Sequence, residues 1–198
     1  MTNEAIEQIR EQNELFDRAT ISMQLKNWGE SMTLLSSIDD VKMVVDGRTL
    51  MDYVVVNGAP VPFVEELFNR GALVNGVVNR EGETALFSAV RTGNKALTSL
   101  LISLGADVNF AIGAGYESSI EGKTAVIVAC MFGEDEILEE LLHHGASIEF
   151  KGDKGACALA RANPARLTES SVSTLEGAEA CCALLKRAGA IDKILEVV

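Results

Sequence analysis

Gly82-Glu83-Thr84-Ala85-Leu86 decides how this chain folds, because the phrase returns. It recurs as Gly47-Arg48-Thr49-Leu50-Met51, as Gly122-Lys123-Thr124-Ala125-Val126 and, more faintly, as Gly155-Ala156-Cys157-Ala158-Leu159. Other landmarks keep step with these four glycines. A second glycine follows at one fixed offset in three copies, at Gly58, Gly93 and Gly133. A Gly-Ala pair closes each copy at Gly71, Gly105, Gly145 and Gly189, with a leucine four residues before it (Leu67, Leu101, Leu141, Leu185). Val74, Val108 and Ile148 stand three residues after the first three of these glycines. Self-similarity at a steady period of this length marks stacked supersecondary units rather than one globular core.

The physics of one unit follows from its order. The threonines stand where a helix begins, and a threonine hydroxyl can accept a hydrogen bond from a free amide of the first turn. Small and apolar residues follow at helical spacing, as in Leu86, Ala89 and Val90. The next glycine permits a tight turn into a second helix, for example over 134–143. That helix is amphipathic: Ile137, Leu138, Leu141 and Leu142 share one side, and Glu136, Glu139 and Glu140 point elsewhere. The glycine of each Gly-Ala pair supplies a left-handed cap. A single helix pair this short cannot bury its apolar side, so neighbouring units must stack.

This pattern resembles the ankyrin repeat, a β-turn finger followed by two antiparallel helices over about 33 residues. The resemblance covers roughly residues 47–192. It departs from the family phrase Thr-Pro-Leu-His, which reads here Thr49-Leu50-Met51-Asp52, Thr84-Ala85-Leu86-Phe87 and Thr124-Ala125-Val126-Ile127. The implied fold is an all-α solenoid of stacked helix pairs with β-turn fingers. Its units lie near 46–79, 80–118, 119–151 and 152–198. Residues 1–45 read as a helical N-terminal cap or degenerate repeat: a helix over 4–27, a turn at Trp28-Gly29, and a second helix from Met32 to Ile38.

Several features break the period. Pro60 and Pro62 are expected at the start of the first unit's outer helix, where proline is tolerated. The third finger is six residues longer than the second, the excess falling between Phe110 and Ser118. In the last unit Gly177 takes the mid-turn place, which implies an insertion after Gly155 that contains Asn163-Pro164. Ser173 and Glu176 offer a capping box for the last helix.

Composition narrows the function. The 198 residues carry 17 basic and 29 acidic side chains, a formal charge of −12. Nucleic-acid binding needs clustered Lys and Arg, so it is not expected; a basic protein partner is electrostatically easier. No apolar run approaches about 18 residues, so no membrane span is expected. The N-terminus lacks a basic region followed by an apolar one, so no signal peptide is expected either. The four cysteines, Cys130, Cys157, Cys181 and Cys182, form no C-x-x-C pair. Free thiols in a reducing cytoplasm are the simplest reading. No cofactor or metal is expected.

Residues of catalytic type read more plainly as structural. His143 and His144 are adjacent, so they leave the helix on different sides; one should be wet and the other partly packed near a helix C-terminus. Cys130 falls at a core-facing position. One of Cys181 and Cys182 should be exposed. Gly113-Ala114-Gly115 lacks the Lys-Ser/Thr of a phosphate loop.

The resemblance implies a concave surface built from finger tips and the open side of each first helix. In the first unit it implies Asp46, Arg48, Val56 and Asn57, and in the second Arg80, Glu81, Glu83, Arg91 and Thr92. In the third it implies Ile120, Glu121, Lys123, Met131 and Phe132, and in the fourth Asp153, Lys154 and Ala156. Large apolar residues at Met131 and Phe132, beside Phe110, Ile112 and Tyr116 in the long finger, suggest an anchor cluster for a partner. The alternative is that Phe132 covers the neighbouring finger and Phe110 packs under its own loop. Glu81, Glu83, Glu117 and Glu121 would form an acidic rim that steers a cationic partner.

A chain beginning at Met1 with little beside the stack is expected to be a stand-alone, non-enzymatic binder, monomeric when free. Short acidic ankyrin proteins of this kind resemble bacterial immunity proteins, which occlude a toxin's active site. Two other readings stay open: an effector or adaptor that binds a host or cytosolic regulatory protein, and an enzyme using the long finger or the C-terminal insertion.

Overall fold

Eight of the repeat glycines have the left-handed backbone that an L side chain rarely adopts. The computed structural model describes residues 3–38, 41, 44–45, 48–76, 82–112, 122–148 and 175–188. Among these, Gly82 and Gly122 turn the fingers, Gly58, Gly93 and Gly133 turn between paired helices, and Gly71, Gly105 and Gly145 end the outer helices, all with φ between 65° and 92°. At the outer-helix ends the alanine N–H of each Gly-Ala pair donates to the carbonyl of the preceding leucine. Ala72 reaches Leu67 at 3.0 Å, Ala106 reaches Leu101 at 2.9 Å and Ala146 reaches Leu141 at 2.9 Å. This is the bonding of a Schellman cap, and it explains why leucine and Gly-Ala recur together.

The described elements run in the following order: α1 (Asn3–Gln24), α2 (Trp28–Ser36), β1 (Val44–Val45), β2 (Arg48–Thr49), α3 (Leu50–Val56) and α4 (Val61–Asn69), then α5 (Ala85–Arg91), α6 (Lys95–Ser103), α7 (Ala125–Phe132), α8 (Asp135–His143) and α9 (Leu175–Arg187). The strands are the arms of one finger, antiparallel with Val44 opposite Thr49. Inner helices α3, α5 and α7 pack in a row, each paired with its outer helix α4, α6 or α8, and α9 packs on α7 and α8. One core runs through the stack from Phe16 in α1 to Leu185 in α9. The four cap leucines Leu67, Leu101, Leu141 and Leu185 are all fully buried, as their position demands.

Threonine caps hold at two of three sites. Thr49 accepts from the Asp52 amide at 3.3 Å and Thr124 from the Ile127 amide at 3.5 Å. Thr84 differs: it precedes α5 without a side-chain cap bond, and its buried hydroxyl has no hydrogen-bond partner. Pro60 and Pro62 stand at the N-cap and first turn of α4, as the missing N–H of proline requires there.

Two boundaries differ from the sequence reading. The N-terminal pair turns at Leu25-Lys26-Asn27, and Trp28-Gly29 already belongs to α2. Asn27 is the reason: its side chain accepts from the Glu30 amide and caps α2 one residue before Trp28. Gly177 is not a mid-turn residue but lies within α9. Its lack of a side chain serves packing, since a methyl there would run into the Gly133 carbonyl and sit 3.1 Å from the Gly133 Cα. Ser173 and the predicted insertion, including Asn163-Pro164, lie outside the described residues.

Polar contacts join one repeat to the next. Asn75 donates to the Gly105 carbonyl (2.9 Å) and accepts from the Asp107 amide (2.8 Å); Asn109 repeats both bonds to Gly145 and Ser147, at 3.1 and 2.7 Å. In the core, the Ser88 hydroxyl of α5 donates to the fully buried Asp52 carboxylate of α3. The guanidinium of Arg70 donates to the Leu35 and Ile38 carbonyls at 2.6 and 2.5 Å, placing a cation at the C-terminal end of α2, where the helix dipole favours it. Trp28 meets Phe63 edge-on at 5.2 Å and completes that joint.

Candidate protein-interaction surface

Each inner helix ends in two residues that escape the core. α3 is buried from Leu50 to Val55 and then opens at Val56 and Asn57. α5 is buried from Ala85 to Val90 and opens at Arg91 and Thr92; α7 is buried from Ala125 to Cys130 and opens at Met131 and Phe132. The register follows from the glycine that comes next in every case, so stacking α3, α5 and α7 sets these pairs in a row. The strands β1 and β2 of the first finger pack against α3. In the third, the Ile112 amide donates to the Lys123 carbonyl (3.0 Å) and the Gly122 amide to the Ile112 carbonyl (2.7 Å), which closes the base of its two arms.

The predicted site residues divide. Glu83 and Arg91 come together as an ion pair at 3.6 Å, with 17% and 37% of their side chains exposed. The Arg91 Nε is buried and has no hydrogen-bond partner among the described residues. Met131 and Phe132 are half-buried, packed on the core while keeping an open side. Phe110 is half-buried too, its ring edge-on to Phe87 with centroids 6.1 Å apart, so much of it is engaged within the protein. Ile112 is corrected: at 2% exposure it belongs to the core and supports the finger from beneath. Arg80, Glu81, Tyr116, Glu117, Glu121 and Asp153 lie outside the described residues.

The reactive residue types occupy structural places. Cys130 and Cys181 are fully buried and Cys182 is half-buried. A hydrogen bond to Cys181, with burial second, pushes the Cys130 thiol well above its ordinary range, so it is a poor source of thiolate at neutral pH. His143 and His144 are both exposed, against the expected one wet and one packed. Both lie at the C-terminal end of α8, where each ring Nδ1 sits about 3 Å from a carbonyl four residues back. Among the described residues no group of three or more His, Cys, Asp or Glu is placed to hold a metal, and no helix is long and apolar enough to cross a membrane. On the far side of the stack, Met32, Ser36, Pro62, Glu66 and Arg70 line an open cleft of about 590 Å³ between α2 and α4.

Sequence reasoning missed two features. Asn75 and Asn109 recur four residues after Gly71 and Gly105, a spacing that only their bonds to the next repeat give meaning. The Lys26 turn carried no glycine to mark it.

Outside the row, acidic side chains of α8 pair with neighbouring helices. Glu136 pairs with Lys95 at 2.8 Å between α8 and α6, and this hydrogen bond and attraction hold the carboxyl below its ordinary range and the amine above its own. Glu140 accepts from Ser99 at 2.7 Å, and Glu139 lies 3.5 Å from Arg187 of α9. These contacts tie outer helices together and leave the row of inner-helix ends free of them.

Comparison with known proteins agrees with this geometry. A family profile described as "Ankyrin repeats (3 copies)" matches residues 50–152. Ankyrin repeat and KH domain-containing protein mask-1 of Caenorhabditis elegans is 37% identical over 92 residues, 46% of this chain and 3% of that protein. Ankyrin repeat and SAM domain-containing protein 6 of Rattus norvegicus is 34% identical over 79 residues, 40% of this chain and 8% of that protein. The matches are therefore to short stretches of much longer proteins. From the capped helix pairs, the stacked inner row and the matched profile together, the chain belongs to the ankyrin-repeat family, whose repeats are protein-interaction modules and generally not enzymes.

Proposed function

We propose that this chain binds a basic protein through the row of inner-helix ends and their fingers, and that it acts as an immunity protein, covering the active site of a toxin. The observation that carries the reading is the alignment of Val56-Asn57, Arg91-Thr92 and Met131-Phe132 along one open flank of an acidic molecule. Met131 and Phe132, with Tyr116 of the long finger, supply the apolar anchors, because large side chains at the centre of an interface carry most of its energy. Glu83, with Glu81, Glu117, Glu121 and Asp153, supplies the acidic rim, which raises the association rate more than it tightens the complex. Arg91, paired with Glu83 at 3.6 Å, and Arg80 of the same unit complete the proposed contact set. The chemistry of neutralisation is steric, with no cofactor. The free thiols among the described residues fit a reducing cytoplasm.

A second reading, an adaptor for a regulatory protein, is favoured by one observation: both relatives carry ankyrin repeats beside another named domain, KH or SAM.

The test begins by capturing the partner from the native host and identifying it. Replacing Tyr116 and Phe132 together by Ala is expected to weaken its binding with little change in melting temperature. An enzyme partner whose activity falls on adding this chain, and recovers with the double variant, supports neutralisation. A partner that keeps full activity in the complex refutes it.

A further inference from the structure

The joint between α7 and α9 brings two thiols together. Gly133 caps the end of α7, and Gly177 lies in the first turn of α9. A methyl on Gly177 would sit 3.1 Å from the Gly133 Cα, so the two α-carbons are themselves no more than about 4.6 Å apart. From that contact α9 packs along α7 and α8. Cys130 stands three residues before Gly133, and Cys181 four residues after Gly177, each about one turn from the contact. There the two side chains are hydrogen-bonded to each other, and both are fully buried. Cys182 is half-buried and leaves α9 about 100° round from Cys181, so the two neighbours diverge.

The other repeats supply an internal control. Counted back from the mid-turn glycine, Cys130 takes the place of Val55 and Val90. Counted back from the cap leucine, Cys181 takes the place of Phe63, Leu97 and Ile137. All five are buried, so carbon side chains are enough to fill these places. Among the described residues, sulfur occupies both positions only where α7 meets α9.

We propose that Cys130 and Cys181 are a redox-closable staple: peroxide converts the hydrogen-bonded dithiol into a disulfide that ties α9 to α7. A disulfide needs α-carbons roughly 4.4–6.8 Å apart, and the backbone contact one turn away keeps the two helices near that range. In the first step one thiol gives up its proton and its sulfur attacks a peroxide oxygen. The O–O bond breaks, the sulfur is oxidised to a sulfenic acid, and the departing hydroxide takes the proton to become water. The sulfur of the second thiol then attacks the sulfenic sulfur. The S–S bond forms, and the sulfenic oxygen leaves as a second water with the second thiol's proton. Two thiols and one hydrogen peroxide thus give one disulfide and two waters. The hydrogen bond to Cys181, with burial second, holds the proton on Cys130, so closure is slow and answers sustained oxidation. The bridge closes a long stretch of chain, which restricts the unfolded state and firms the end of the stack. The staple does not depend on what the inner-helix row binds.

The test treats the full chain with hydrogen peroxide in native buffer, blocks remaining thiols with iodoacetamide and maps the peptides without reduction. A Cys130–Cys181 linked peptide is expected, with a melting temperature higher by about 5 °C or more, and dithiothreitol should reverse both. Cys130→Val carries the valine of the two earlier repeats, so it should fold and lose both the link and the rise. Cys182→Ser should keep both. Oxidation confined to Cys182 overturns the proposal, as does a bridge to Cys157 or between two chains. A Cys130–Cys181 link that forms only in urea shows that the native pair is not poised to close and overturns it too. A native link without a rise in melting temperature overturns the stapling.

Discussion

Replacing Gly177 by Ala in α9 should lower stability, although the same change in a helix normally raises it. Alanine is favoured over glycine in a helix interior by about 1 kcal/mol. Here the added methyl meets the backbone of Gly133, with the Gly133 Cα and carbonyl carbon each only 3.1 Å away and the carbonyl oxygen nearer still. The obstacle is main chain and cannot rotate aside, so α9 must move away from α7. Overpacking of this sort costs roughly 1–3 kcal/mol, which outweighs the helix term and leaves a net loss of up to about 2 kcal/mol. Gly29 in α2 is the matched control: it too lacks a positive φ, and a methyl there meets nothing within 4 Å. Gly29→Ala should therefore gain up to about 1 kcal/mol. Urea titration of the two variants beside the parent measures the sign of each change. Hydrogen exchange across 175–188 then shows whether the loss is centred on α9. A Gly177→Ala protein that gains as much as Gly29→Ala would mean the two backbones do not touch, and the packing of the last helix described above would be wrong.

Leu141→Ala removes a fully buried cap leucine and should cost about 2–5 kcal/mol in urea titration, with Leu101→Ala behaving alike. A loss under about 1 kcal/mol in both would contradict the single continuous core. Asn109→Ala deletes both bonds to the Gly145 and Ser147 backbone and should cost about 1–2 kcal/mol, matched by Asn75→Ala at the equivalent joint. An unchanged denaturation midpoint for the pair would show that the asparagine ladder contributes nothing to stacking. Alkylation of the native protein at neutral pH, mapped by mass spectrometry, should label Cys182 well before Cys130 and Cys181. Because the Cys130 pKa is raised, its thiolate fraction grows only as pH rises far into the alkaline range, and its early labelling at neutral pH would refute the buried Cys130–Cys181 pair.

Much of the architecture was legible because repetition multiplies weak signals. One glycine before a threonine means little. Three that are each followed by a second glycine at one offset and by a leucine-Gly-Ala close within a residue of the same distance define the same backbone path three times. Each of those marks is local chemistry: a left-handed turn, a cap, a leucine whose carbonyl the following alanine amide takes. The open flank was legible in outline for the same reason, since Arg91 and Met131 are fixed by their distance from a glycine.

What escaped the sequence has a shared cause. Lys26 occupies a left-handed turn without glycine, because packing of α1 on α2 outweighs the local strain, so the turn expected at Trp28-Gly29 falls instead at Leu25-Lys26-Asn27. Gly177 looked like another turn glycine, but it is glycine for the neighbour it touches. The fates of Ile112 and Phe110 were equally invisible, since an apolar residue in a finger reads alike whether it faces a partner or Phe87. The order of residues along the chain determined where helices start and stop and how often. Only the stack decided which apolar side chains were spent on the neighbouring repeat and which stayed open, because burial depends on contacts between segments a whole repeat apart along the chain.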